Sequence, residues 1–526
     1  MTSLRLFGLT ALAALADACT TLVAARGATA DGSVMAAHSN DGDGITIGNV
    51  AMVPAANFHL PANRTVSGGA IPQVGHTLAY YTKVGGYASS NEYQVGLAES
   101  TCVAVFAGQR SKGAMLNIID LSELGLERGK SARAAVMEMG RLAEEFGYYD
   151  NGESLLVIDP REAYIFHVLP DHTGRSAVWV AQRVPDGHVG VVANSFTVRV
   201  VDLNATDGSF LYSSNMLNVA LDTKRWAKGV EFDFTRIFAG AEPGHKYASG
   251  RRMWSAFRRL APVAAASLSP EYEEYVSSRP YPATLPALNV TFSMLRSTMR
   301  DYFQATPYDM SAGMQSGPFG SPTRWSAKSA AGIVGNFERP IAISRTILSY
   351  VLVCRSWLPD EVGGVIWIAM HSAHTSLYVP FWLGTLRTSV KLPPGFTENN
   401  ASVSRGVGAW QASRFVFNAA QLNWNKSIAV VSERQTLWEG KGQGVVDRSA
   451  KDFVAGRITI EEATARAHDH AAAAVSAWWQ LSDDLMLATV PNYNPYPTWW
   501  LLDPSVNFTG GPPRSPDVPA PPTEPA

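Results

Sequence analysis

The stretch Ala16-Asp17-Ala18-Cys19-Thr20-Thr21 decides how this chain of 526 residues is read. Arg5 gives a positive start, residues 6–15 (LFGLTALAAL) form an apolar run, and Ala16 and Ala18 occupy the small-residue positions of an A-x-A cleavage site. Residues 1–18 are therefore expected to be a leader whose removal by signal peptidase leaves Cys19 as the mature N-terminus. Such a residue carries a thiol and an α-amine together. The amine titrates near ~8, so part of it is unprotonated at neutral pH and can take the thiol proton. That is a nucleophile with its own general base. The same spacing allows two other fates, a disulfide through Cys19 or lipidation of it. Lipidation sites usually carry Leu where this chain has Ala16.

Working outward, residues 20–25 are β-prone, Asp31-Gly32 is a turn signal, and residues 33–38 resume as a second strand. The candidate nucleophile thus opens the first strand of a hairpin. Residues 39–44 (SNDGDG) read as a polar loop, without the glutamate that would complete a Ca²⁺-binding EF-hand loop. Ser131 is an N-cap, and Val136, Met139, Ala143 and Phe146 share a helical face before Gly147 stops it.

Residues 154–158 and 163–169 read as strands joined by Asp159-Pro160-Arg161-Glu162. Residues 176–184 and 189–193 read as strands joined by Pro185-Asp186-Gly187. Links this short predict antiparallel neighbours, which excludes a doubly wound nucleotide-binding sheet here. Residues 211–323 are helix-prone and interrupted by proline. Strand-like runs return at 341–344, 364–369 and 377–381. Thr459-Ile460-Glu461-Glu462 is a capping box opening an Ala-rich helix that reaches Trp478 and Trp479. Residues 510–526 form a Pro-rich tail. Strands, then helices, then strands indicate an α+β fold with layered sheets.

Composition narrows the function. The chain has 46% hydrophobic and 17% charged residues and a net charge of −2, which gives no argument for nucleic acid or an anionic membrane. After the leader no apolar run is long enough to span a bilayer, and the tail lacks the hydrophobic end of a GPI signal. Of three cysteines, Cys102 and Cys354 could pair in an oxidising compartment or be simply buried. Sequons at Asn63, Asn204, Asn289, Asn400, Asn425 and Asn507 suit a secretory route. His371 with His374, and His468 with His470, lack the third ligand that zinc needs and read as structural. There is no G-x-S-x-G elbow and no P-loop. Asn194, at the end of a predicted strand, is placed to donate to an oxyanion.

These residues resemble a known family. Cys19-Thr20-Thr21, Ala28-Thr29-Ala30-Asp31-Gly32-Ser33 and Asn40-Asp41 are similar to the opening of the cysteine dipeptidases of the dipeptidase A type. Those enzymes are N-terminal-nucleophile hydrolases distantly related to penicillin V acylase and bile salt hydrolase. Asn91-Glu92-Tyr93-Gln94-Val95, Glu99-Ser100-Thr101-Cys102, Leu126-Glu127-Arg128, Gly152-Glu153-Ser154, Arg183-Val184-Pro185-Asp186-Gly187 and Tyr308-Asp309-Met310 extend the likeness. So do Gly317-Pro318-Phe319-Gly320, Leu358-Pro359-Asp360 and the run from His374 to Pro380. The resemblance spans residues 19–509 nearly throughout.

It implies a four-layer αββα sandwich of two antiparallel sheets with a helical insertion over about 211–323. It also implies Cys19 as nucleophile, Asn194 in the oxyanion hole and Asp41 beside the nucleophile. A pocket arginine corresponds to Arg251 or Arg252, with Arg251 taken as the substrate-binding residue. Bacterial members often read Arg-Asn-x-Asp where this chain has His38-Ser39-Asn40-Asp41, so His38 is expected to face the substrate and shift its preference. The implied reaction is hydrolysis of a dipeptide, with no metal or organic cofactor. An acylase-like amidase acting on a small non-peptide amide, and an inactive secreted binding glycoprotein, are the alternatives. The protein is expected to be secreted or endo-lysosomal, with assembly into homo-oligomers left open.

Overall fold

The computed structural model describes residues 19–489, apart from 43–45, 109, 112, 241–245, 271–280, 324–337, 401 and 403–404. The expected leader and the Pro-rich tail lie outside the described residues.

The chain opens as the hairpin its sequence calls for. Thr20–Ala24 pairs antiparallel with Val34–Asp41, Thr20 opposite Ser39 and Ala24 opposite Met35. Asp31 accepts from the backbone N–H (3.1 Å) and hydroxyl (2.6 Å) of Ser33, which closes the turn. Gly32 has φ +81°, a conformation only glycine adopts without cost. Every residue of both strands is buried because both faces are covered, so apolar and polar residues do not alternate along them.

Two large sheets result. The first runs, in spatial order, Thr284–Pro286, His188–Val192, Thr20–Ala24, Val34–Asp41, Thr346–Cys354, Val365–Met370 and Val379–Trp382, every pair antiparallel. The second runs Phe210–Tyr212, Ala177–Arg183, Ala163–Pro170, Gly152–Ile158, Gly96–Cys102, Ala88–Asn91, Tyr80–Lys83 and Val50–Val53. Val23, Ala36 and Leu352 of the first sheet meet Ala98, Leu156 and Ile165 of the second in one inner core. The outer face of the first sheet (Leu22, Met35, Val351) is covered by Met253 and Phe257, Leu295, and Val446. These come from the helices Arg251–Leu260, Phe292–Met299 and Trp424–Val454. The outer face of the second (Leu97, Leu155, Phe166) packs on Leu121 and Met139 of the helices Ile118–Arg128 and Ala132–Phe146. The fold is α+β, a four-layer αββα sandwich.

Local signals held. Ser131 accepts from the Ala134 N–H (3.2 Å) to start the helix Ala132–Phe146, and Gly147 ends it at φ +74°. Thr459 and Glu462 exchange the two bonds of the capping box, and the helix Ile460–Thr489 follows.

Three expectations need correction. The link Pro185-Asp186-Gly187 does not join neighbours in one meander. Ala177–Arg183 stays in the second sheet while His188–Val192 enters the first, where Thr20–Ala24 is its partner. Arg26 holds the link, pairing with Asp186 (2.8 Å) and accepting from the Gly187 N–H through its carbonyl (2.8 Å). Ser39, Asn40 and Asp41 are strand and not loop, because Thr346–Cys354 supplies a ladder. The run at 341–344 is not a strand. Ile341 and Ala342 are apolar because they are buried, and pairing begins at Thr346.

Candidate active site

The crossing between sheets brings the site together. Val192 lies opposite Thr21, so two residues further on Asn194 reaches the level of Cys19. Cys19 is fully buried. Its carbonyl oxygen accepts from Arg252 Nη1 (2.8 Å) and Ser100 Oγ (3.3 Å). Arg252 also donates to Thr20 Oγ1 (2.7 Å), to Asn194 Oδ1 (2.8 Å) and, from Nε, to the Ala248 carbonyl (2.8 Å). Asn194 donates its backbone N–H to Ser100 Oγ (2.9 Å) and its Nδ2 to the Thr101 carbonyl (2.7 Å). With Arg252 on the oxygen and a carbonyl on the nitrogen, the Asn194 amide has one orientation. Asn194 stands at φ +58°, a left-handed conformation that asparagine tolerates better than most residues.

Asp41 ends the second strand of the hairpin. Its carboxylate pairs with Arg339 and accepts from Thr346 Oγ1 (2.5 Å). Burial lowers the pKa of Arg339, while the charge of Asp41 and, to a lesser degree, that of Cys19 raise it. The arginine therefore stands within electrostatic reach of Cys19.

Arg251 is elsewhere. Its Nε donates to Glu338 (2.9 Å), its Nη1 to the Pro270 carbonyl (2.6 Å), and its guanidinium lies 3.4 Å from the centre of the Tyr308 ring. Adjacent residues on a helix point about 100° apart, so one of the two reaches Cys19 and the other faces away. Of the two, Arg252 is the arginine bonded at Cys19.

His38 and Glu99 complete the surroundings. Both are 1% exposed, with His38 Nε2 3.7 Å from Glu99 Oε2. Burial, and then the charge of Lys83, push the His38 pKa down to about 3 against the pull of Glu99. Tyr350 stands edge-on to the His38 ring at 5.1 Å. Glu99 accepts from Thr101 Oγ1 (2.9 Å). Burial and the neighbouring Glu99 hold the Glu153 carboxyl well above the usual range. Among the described residues, Cys19, His38 and Glu99 are the three whose potential metal-ligand atoms lie within 4.8 Å of one another.

His371 and His374 sit among aromatic rings. His371 packs on Trp410 and Phe417, and His374 on Tyr302 and Trp424. Cys102 and Cys354 do not join; each is a buried thiol donating to a backbone carbonyl, of Ser100 and Gln94 respectively.

Sequence reasoning gave no role to Glu99, Glu153 or Arg339. A charge inside each of the buried strands GLAESTC and GESLLVI was the available signal for the first two. Arg339 had none, since only the folded chain carries it to Asp41.

The model of peptidase family C69 matches residues 18–436. A probable dipeptidase of Salmonella dublin is 24% identical over 391 residues, covering 70% of this chain and 81% of its own. A probable dipeptidase A of Streptococcus pyogenes serotype M3 (strain SSI-1) is 22% identical over 479 residues, covering 86% and 94%. Among solved structures, penicillin V acylase from Agrobacterium tumefaciens is 14% identical, covers 69% of this chain and 86% of its own, and superposes with a TM-score of 0.32. The layers and strand registers described above, not that superposition, carry the fold. With the family match extending over most of its length, the chain belongs to peptidase family C69.

Proposed function

We propose that the chain is a cysteine dipeptidase whose nucleophile is Cys19, released as the N-terminal residue when residues 1–18 are removed. The observation that carries this reading is Arg252, one guanidinium bonded to the Cys19 carbonyl, Thr20 and Asn194. It ties the start of the first strand to a fixed amide, the arrangement an acyl-transfer site requires.

In this mechanism the Cys19 α-amine takes the thiol proton as Sγ attacks the scissile carbonyl. Asn194 donates to the oxyanion of the tetrahedral intermediate. The C–N bond then breaks, the amine proton passes to the leaving nitrogen, and a thioester remains on Sγ. Water attacks the thioester with the α-amine again as base, which releases the acid and restores the thiol. Asp41 neutralises Arg339 beside the nucleophile, and the Arg252 charge favours both thiolate and oxyanion.

Passage through the secretory pathway, to a secreted or endo-lysosomal destination, and N-glycosylation belong to the same proposal. Asn63, Asn204, Asn289, Asn400 and Asn425 are all exposed, as acceptor sites must be. Asn507 lies outside the described residues.

The test is hydrolysis of unblocked dipeptides by purified mature protein and by Cys19→Ala. Wild type should turn over, and Cys19→Ala should be folded by circular dichroism and inactive. Full activity in Cys19→Ala would end the assignment. Preference of the wild type for an aryl-acyl amide over every dipeptide would replace the substrate class while keeping the nucleophile.

A further inference from the structure

Ser100 touches both Cys19 and Asn194, yet the thioester chemistry above gives it no step. It lies on the strand Gly96–Cys102 of the second sheet, whereas Cys19 and Asn194 adjoin strands of the first. Its hydroxyl accepts from the Asn194 N–H (2.9 Å) and donates to the Cys19 carbonyl (3.3 Å). Chemistry fixes both directions, because an N–H can only donate, a carbonyl can only accept, and a hydroxyl has one proton. Ser100 is fully buried.

The strand register shows where that hydroxyl stands. Opposite residues of an antiparallel pair alternate between those that exchange backbone hydrogen bonds and those that do not. Ala25 donates to the His188 carbonyl (3.0 Å), which puts Val23 with Gly190 and Thr21 with Val192 in the same phase. The next pair in that phase is Cys19 with Asn194. At φ +58°, Asn194 has left the extended conformation that a ladder requires. Ser100 joins the two residues at this rung, from N–H to hydroxyl to carbonyl. The residue after it completes the hold, since the Thr101 carbonyl takes Asn194 Nδ2 (2.7 Å). One dipeptide therefore fixes both the backbone and the side chain of Asn194, and it is itself held in a ladder opposite Ser154 and Glu153.

We propose that Ser100 is a positioning residue for acyl transfer, its hydroxyl holding the Asn194 amide in register with the Cys19 thiol. The inference rests on the mechanism proposed above and adds a residue that acts only through Asn194 and Cys19. Arg252 sets which way the amide faces, and Ser100 sets where its backbone stands. Removing the hydroxyl takes this acceptor from a buried N–H, and the segment must shift to find another. A displacement of about 1 Å at a positioned group costs on the order of 10²-fold in rate. The loss falls on kcat, because an oxyanion donor matters once charge has developed.

The experiment is a double-mutant cycle. Wild type, Ser100→Ala, Asn194→Gly and the double variant are compared on one amide that the wild type hydrolyses, with kcat taken per folded molecule by circular dichroism. Single-turnover rates with enzyme in excess keep the slow variants measurable. Ser100→Ala should lower kcat by about tenfold or more and leave KM within about threefold. In the Asn194→Gly background the same change should move kcat by less than about threefold, because no side-chain amide is left to position. A residue that merely supports the fold would cost the same in both backgrounds. Should Ser100→Ala yield no folded protein, Ser100→Cys decides by the same two ratios, since it replaces the hydroxyl with a much weaker donor of similar size.

A Ser100→Ala kcat within about threefold of wild type overturns the proposal. An equal loss in the two backgrounds also overturns it and makes Ser100 a scaffold residue. Wild-type kcat in Asn194→Gly removes the oxyanion role of Asn194 and this inference with it, but leaves Cys19 as nucleophile. Turnover of neither a dipeptide nor an aryl-acyl amide by the wild type removes the enzyme reading itself, and the positioning role falls with it.

Discussion

Arg252 satisfies four acceptors with one planar group: the Cys19 and Ala248 carbonyls, Thr20 Oγ1 and Asn194 Oδ1. Lysine offers a single point of charge and cannot span them. Arg252→Lys should therefore lower kcat/KM by about 10² or more, since it frees the Asn194 amide, the oxyanion donor of the proposed mechanism. Arg251→Lys should stay within about threefold of wild type, because its partners are Glu338, Pro270 and Tyr308. Steady-state kinetics on the two variants decides which neighbour belongs to the site. The reverse pattern would return Arg251 to the pocket. For Asn194 the informative change is to glycine, which accepts φ +58° without the backbone cost that alanine adds. Asn194→Gly should lower kcat by about 10²–10³ with a smaller change in KM. A loss confined to KM would make Asn194 a binding residue.

At the scale of elements, the segment that follows Asn194 is held by one histidine. His167, on the strand Ala163–Pro170, accepts from the backbone N–H groups of Thr197 (3.0 Å) and Val198 (3.2 Å) through Nε2. Those bonds need the neutral ring, and burial pushes its pKa down to about 3. The unfolded chain protonates near ~6.5. The stability this residue contributes is therefore complete above pH 6.5 and is lost as pH falls from there toward 3, at up to about 1.4 kcal/mol per pH unit. Urea melts of wild type and His167→Gln should differ in slope. Between pH 6.5 and 5 the wild type should lose about 2 kcal/mol more than the variant. Equal slopes would show that His167 does not resist protonation.

What the sequence showed at this scale was local. Ser131, Gly147, Thr459, Glu462 and the Asp31-Gly32 turn each act within a few residues, so their elements could be read directly. The path of Pro185-Asp186-Gly187 depends on Arg26, 160 positions away from Asp186. The strand character of Ser39, Asn40 and Asp41 depends on Thr346–Cys354. Asn194 was legible as a strand-end amide, but its place beside Cys19 follows from the sheet crossing that the short link concealed. Glu99 and Glu153 share that limit, because two separate acidic residues become one carboxyl pair only when their strands align.

The molecule as a whole fixes Cys19 at the head of the strand Thr20–Ala24. Thr20–Ala24 lies third in a sheet of seven strands, covered on both faces, and Arg252 and Ser100 already take the Cys19 carbonyl. The scaffold therefore holds the thiol whether or not residues precede it, while the base exists only if none does. While Ala18 is attached, the Cys19 nitrogen belongs to a peptide bond. Resonance removes its lone pair, and it cannot accept the thiol proton. Protein beginning at Cys19 and protein beginning at Ala18 should thus share a fold and a melting temperature to within a few degrees. They should differ in kcat by about 10² or more, the contribution of a positioned base. Intact mass fixes which form is in each sample, and circular dichroism with dipeptide hydrolysis supplies the comparison. Equal rates from the two forms would mean that another group takes the proton. His38 would then be the first candidate, since its nitrogen is already within 4.8 Å of the Cys19 sulfur.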